Sequence, residues 1–185
     1  MFIIEHLDKR VWRWCVIEYR HISEIVGTNN LWFTNLKHGS KILGRYGKVI
    51  KKPVRELGLK NCCVLDPSAE KTLTPEDSRQ FKYFVFGGIL GDSPAKKRTK
   101  SLLTKYMKCE ARNLGKRQMS TDNAVFVVKQ IIEGIPLEKI KFRQGIEIQM
   151  GANESVHFPF KYALVGNKPL ISKELVKYLK RRRYF

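Results

Sequence analysis

Two short apolar runs, each ended by a chain-turning pair, constrain the fold of this sequence more than any other feature. Cys62-Cys63-Val64-Leu65 stops at Asp66-Pro67, and Tyr83-Phe84-Val85-Phe86 runs straight into Gly87-Gly88. Apolar runs without polar alternation suit strands buried on both faces, as strands are in a parallel sheet covered by helices. The neighbouring sequence keeps the same rhythm. Further strands are expected at 2–6, 31–33 and 108–112. A helix is expected over 12–26, where Trp14, Ile17, Ile22 and Ile25 fall near helical spacing and Gly27 supplies the stop. Another is expected over 121–133, carrying Val125, Val128, Ile131 and Ile132. Strand–helix alternation of this kind specifies an α/β fold with a mainly parallel sheet and helices on both faces.

Beyond residue 140 the rhythm changes. Short extended pieces are expected at 140–142, 146–148 and 162–165, then a turn at 166–169 and a basic helix over 170–183. The stretch 37–60 holds eight Lys and Arg against the single acid Glu56, and reads as a basic, partly helical excursion from the sheet. A length of 185 residues fits one domain with its own core.

The hydrophobic share of 43% excludes a disordered tail protein. The charge is unusual: 36 Lys and Arg against 17 Asp and Glu leave +19. Such a field attracts polyanions, chiefly nucleic acid, although a solvated basic surface has the same composition. Cys15, Cys62, Cys63 and Cys109 form no C-x-x-C pair and read as reduced, mostly buried thiols. Glu5 comes too early for a secretory leader and no apolar run is long enough to span a membrane, so a cytoplasmic protein is expected. His6, His21, His38 and His157 show no ligand spacing, so neither a metal centre nor a hydrolytic triad is expected.

Ligands of open parallel sheets bind beyond the carboxyl ends of the strands. Two loops there are rich in glycine or helix-capping residues: 86–94, with Gly87, Gly88 and Gly91, and 114–122, with Gly115 followed by Ser120 and Thr121. Neither is a dinucleotide fingerprint or a P-loop, and each alone is more often a tight structural turn than a ligand cradle; two after neighbouring strands make the readings equal.

At these residues the sequence resembles the SPOUT methyltransferases. Leu114-Gly115-Lys116-Arg117-Gln118-Met119-Ser120-Thr121-Asp122-Asn123-Ala124 follows one of that family's loop patterns, and 84–92 resembles another. Ile3-Ile4-Glu5-His6, Val64-Leu65-Asp66-Pro67, Arg98-Thr99 and Pro159-Phe160-x-Tyr162 are similar to one branch. That branch includes a eukaryotic enzyme acting on an arginine of a small-subunit ribosomal protein.

The resemblance implies a C-terminal trefoil knot and S-adenosylmethionine as methyl donor. It implies a donor pocket lined by Gly87, Gly88, Gly91, Leu114, Gly115, Gln118, Met119 and Thr121, supported by Leu65 and Pro67. Methyl transfer asks mainly for positioning, plus a carboxylate to orient the acceptor or take its proton. Asp92 is the first candidate, then Asp122 and Glu154, with helix-terminus and turn roles as the plainer explanations of each. The resemblance leaves both a monomer and a knot-mediated homodimer open.

Lys96, Lys97, Arg98 and Lys100 follow the first loop and Lys116 and Arg117 lie in the second, a track for an anionic substrate. On charge, RNA is the favoured acceptor. The alternative is an arginine of a ribosomal protein, which needs acids to receive the guanidinium. A third possibility is an RNA-binding protein that keeps the fold without catalysis. Lys180-Arg181-Arg182-Arg183 at the chain's end reads equally as a nucleic-acid contact or a solvated tail.

Overall fold

The structure, a computed structural model, describes residues 1–185 except 38–39, 92–95, 97, 152–153 and 182–185. Among the described residues, a six-stranded sheet runs in the order β3-β2-β1-β5-β4-β6. Its strands are β1 (Phe2–His6), β2 (Leu31–Thr34), β3 (Lys48–Val49), β4 (Cys62–Leu65), β5 (Tyr83–Gly88) and β6 (Glu110–Arg112), all paired in parallel. The apolar runs are the central strands, as their lack of polar alternation requires.

Successive side chains of a strand point to opposite faces, so the sheet carries two cores. Phe2, Ile4, Phe33, Leu65, Phe84 and Phe86 face helices α1 (Arg13–Val26) and α5 (Thr121–Ile132), which pack on each other. Ile3, Val64 and Val85 face the other way and are covered by Val54 and Leu103. α1 stops at Gly27, whose φ of +82° suits a residue without a Cβ and whose N–H closes on the Ser23 carbonyl at 2.8 Å.

The stretch 37–60 is not an excursion from the sheet. It contains α2 (Ser40–Leu43) and supplies the edge strand β3. It is then held down where Glu5, buried on β1, accepts the Val54 N–H at 3.0 Å. The expected pieces at 140–142 and 146–148 are one strand, β7 (Phe142–Gln149), with a bulge at Gly145, whose φ is +70°. It pairs antiparallel with β8 (Ser155–Val165), which pairs with β9 (Lys168–Pro169). This small sheet and α6 (Lys173–Arg181) bury Ile148, Phe158, Tyr162, Leu175 and Leu179 against Ile17 of α1. The short helices α3 (Pro75–Ser78) and α4 (Arg98–Leu102) fill connections of the main sheet.

The chain leaving β6 is laced along the loop that follows β4, the segment in which the resemblance expects a knot. The Asn113 N–H donates to the Lys71 carbonyl at 2.8 Å, and the Leu73 N–H donates back to the Asn113 carbonyl at 3.1 Å. The Asn113 amide donates to Ala69, and its side-chain oxygen accepts the Gly115 N–H at 2.9 Å. One side chain thus fixes two loops that meet at the strand ends.

The thiol expectation needs correction. Cys62 and Cys109 form a disulfide with Cα atoms 5.4 Å apart. They stand at the starts of the neighbouring strands β4 and β6, a proximity that 47 residues of separation conceal in the sequence. Cys15 and Cys63 are free and buried, and burial pushes their thiols up to about 11 and about 12. No helix among the described residues is long and apolar enough to cross a membrane.

Candidate active site

Two adjoining cavities open at the carboxyl ends of the strands. The first, with about 230 Å³ of internal room, collects residues from four segments. Leu65, Asp66 and Pro67 come from the end of β4, and Phe86, Gly87 and Gly91 from β5 and its loop. Arg98 and Thr99 begin α4, and Leu114, Gly115, Gln118, Met119 and Thr121 lead into α5. Of the residues expected to hold the donor, every one except Gly88 lies in this lining.

Hydrogen bonds hold the walls still. Asp66, 2% exposed, accepts the Ser68 N–H at 2.8 Å and the Thr104 hydroxyl at 2.6 Å, which fixes the turn after β4. Asp8 accepts the Leu90 N–H at 3.0 Å, while Arg98 donates to the Leu90 carbonyl and pairs with Asp8 at 3.7 Å. The glycine loop is therefore clamped at both polar groups of one residue. Apolar walls from Leu65, Phe86, Leu114 and Met119, with a polar rim of Asp66, Ser68 and Thr99, fit a molecule that is flat and apolar at one end and polar at the other. S-adenosylmethionine is such a molecule, and Gly91 keeps its wall thin: a Cβ there would stand 2.7 Å from the Phe160 ring and 2.8 Å from the Gln118 amide.

The second cavity, of about 350 Å³, shares Ile89, Leu90, Gly91, Met119 and Thr121 with the first. Its other walls are aromatic and acidic: Trp14 and Glu18 of α1, Asp122 of α5, and Phe158, Phe160 and Tyr162 of β8. Glu18 reaches from α1 to the start of α5 and accepts the Thr121 N–H at 2.9 Å. It takes over the capping duty expected of Ser120 or Thr121; Ser120 sits at the N-cap without a side-chain cap bond. The Ser120 hydroxyl donates instead to Asp122 at 2.5 Å. Asp122 also accepts the Asn123 N–H at 2.8 Å and takes a hydrogen bond from His21 Nδ1 at 2.8 Å. Burial, and then the Asp122 charge beside it, push the Glu18 carboxyl up to about 8. A carboxyl in that state is set to ionise when a cation arrives.

Other expected residues lie elsewhere. Gly88 is a packing glycine: a Cβ there would stand 2.2 Å from the Tyr19 hydroxyl and 2.9 Å from Ile4, so it lets α1 close on the sheet. Glu154 is exposed at the β7–β8 connection, where its carbonyl accepts the Met150 N–H at 2.8 Å, and it lines neither cavity. Asp92 and Lys97 lie outside the described residues. Lys96, Lys116 and Arg117 rim the first cavity with Arg98, whereas Lys100 is exposed on α4 and does not.

Sequence reasoning missed Glu18, Trp14 and Phe158. The available signal was an acid inside an apolar stripe: Glu18 is four residues from Trp14 and from Ile22 on a helix whose buried side it shares.

The protein arginine N-methyltransferase SFM1-like family model matches residues 1–184. A Saccharomyces cerevisiae protein named protein arginine N-methyltransferase SFM1 is 36% identical over 200 residues, covering 97% of this chain and 94% of its own. The crystal structure of the yeast arginine methyltransferase SFM1 complexed with SAH superposes with a TM-score of 0.87 at 34% identity, covering 96% of this chain and 93% of that one. The same enzyme complexed with SAM gives a TM-score of 0.87 at 35% identity, covering 97% and 89%. The chain belongs to the SFM1-like family and is an S-adenosylmethionine-dependent methyltransferase of SPOUT-like fold.

Proposed function

We propose that this enzyme methylates an arginine side chain of a ribosomal protein. One observation carries the reading: the cavity sharing a wall with the donor site is floored by two acids, Glu18 and Asp122, and walled by aromatic rings. A guanidinium is planar, permanently charged and weakly hydrated, and it stacks on rings while donating to carboxylates. An RNA phosphate entering the same cavity would meet two acids. RNA as the acceptor, which net charge favoured, gives way to the arginine alternative.

When bound, S-adenosylmethionine supplies a methyl carbon on a sulfonium that departs as a neutral sulfide. The chain's own residues have three tasks. Trp14, Phe158 and Phe160 strip water from the incoming side chain. Asp122, oriented by His21 and Ser120, holds one edge of the guanidinium in the near-attack position. Glu18, ionised by the guanidinium's approach, takes the proton that the attacking nitrogen releases as its bond to carbon forms. The product guanidinium stays cationic, so one proton leaves for each methyl gained.

The test is incubation with labelled donor and purified ribosomal subunits, followed by separation of RNA from protein and acid hydrolysis. Label recovered as methylarginine in one ribosomal protein is expected. Label in the RNA fraction refutes the reading.

A further inference from the structure

The sheet face opposite α1 and α5 is covered by irregular basic chain, and neither cavity uses it. Leu57 and Leu59 of the 50–60 segment and Met107 pack into its core, beside Trp32 of β2 and Tyr83 of β5, whose rings lie 5.7 Å apart. Over this layer, cations are held at aromatic rings. Lys48 lies 4.9 Å from the Trp32 ring and Lys82 5.7 Å from Tyr83. Arg55 and Lys105 stand 5.7 and 4.8 Å from Tyr106, which is 51% exposed. Lys51, Lys52, Lys60 and Lys108 are exposed in the same segments. The acids there are few: Glu56, and Glu110, which is engaged by Arg112 at 2.6 Å.

Charge of one sign alone reports solubility as readily as binding. The interleaving of rings and cations adds a requirement that solubility does not have. A single-stranded nucleic acid offers phosphates at regular spacing and bases with π-faces, and proteins that hold it pair a basic track with stacking rings. An acidic protein offers the charge without the bases. We propose that this face, built by β3, the 50–60 segment and the 104–108 turn, is a docking surface for single-stranded RNA, separate from the transfer site. The role fits the edge-strand geometry, because Glu5 and the parallel pairing of β3 hold the basic segment against the sheet.

The experiment uses the full chain and a fluorescent single-stranded RNA of about 15 nucleotides, within the span of known single-strand grooves. Fluorescence anisotropy is measured across a salt series for the parent, for a triple variant (Lys48→Ala, Arg55→Ala, Lys105→Ala) and for Tyr106→Ala. Methyl transfer to a free arginine peptide is measured alongside. Loss of each phosphate contact should flatten the log–log salt slope by about 0.7, so the triple variant should bind more weakly and with a shallower slope. Tyr106→Ala should lose about five-fold or more in affinity with its slope unchanged, since stacking releases no counterion. Peptide methylation should be equal in all three proteins. The proposal is overturned if the triple variant keeps the parent's salt curve. It is also overturned if polyglutamate competes as well as RNA does at equal charge, which would leave the rings without a role.

Discussion

The two cavities share a wall but are made in opposite ways. The side read as the donor's comes from consecutive loops of one parallel sheet, whose backbone N–H groups are held by the carboxylates of Asp66 and Asp8. The acceptor side takes single residues from α1, α5, β8 and α6, and depends on side chains: two acids, four rings and Ser172 of the α6 approach. Family membership accounts for the first through the fold. In the proposed reading the second is where the acceptor binds, and it should fail in different ways under mutation.

The largest separation should come from Glu18→Gln, which keeps an acceptor for the Thr121 N–H and removes the charge. Transfer to an arginine peptide should fall by about 10²–10⁴-fold, as expected for a lost general base, while donor affinity by calorimetry stays within about two-fold. In the parent, kcat/KM should rise with pH through a limb near 8, where the free enzyme's Glu18 ionises. The kcat limb should lie lower, because the bound guanidinium favours the carboxylate. Equal limbs, or a Glu18→Gln enzyme of full activity, would remove this residue from the chemistry.

The same substitution has a stability consequence. A carboxyl whose pKa rises on folding binds its proton more tightly in the native state, so stability falls as pH climbs from the unfolded value of 4.5 to about 8. Glu18→Gln removes that loss. Thermal melts should show parent and variant alike near pH 5, and the variant more stable above pH 8, by on the order of a few kcal/mol. A variant that melts lower at high pH would show that the carboxylate, once charged, is well paired.

A smaller effect is expected from Phe160→Ala, which thins the acceptor wall. The peptide KM should rise about ten-fold through lost apolar contact, with donor Kd nearly unchanged. Matching losses in both would mean that the shared wall collapses as a unit. The smallest is Glu154→Gln, expected to leave kcat/KM within about two-fold because the side chain lies at the exposed end of the hairpin.

The contrast between the cavities also explains what the sequence disclosed. Runs such as 62–65 and 83–86 announce central strands because burial on both faces leaves no polar alternation, and glycines at strand ends mark the loops that must bend. Order along the chain is enough to place Leu65, Gly87 and Leu114 at one end of the sheet. The acceptor cavity has no such local signature. Glu18 and Phe158 lie 140 positions apart in the numbering and meet only because the β7–β8 hairpin and α6 fold back on α1. Glu154 is eligible by composition and Gly88 by motif. Tertiary placement carried the first to an exposed turn and pressed the second against Tyr19. The Cys62–Cys109 bridge was hidden for the same reason.

A wall common to two sites is also a thermodynamic connection. Leu90, Gly91 and Met119 present one surface to each cavity, so a molecule that settles them from one side alters what the other ligand meets. Any factor by which the first ligand changes the affinity of the second must be returned by the second to the first. Neither dissociation constant is then a property of one pocket, and a partial occupant of either side reports on the whole pair.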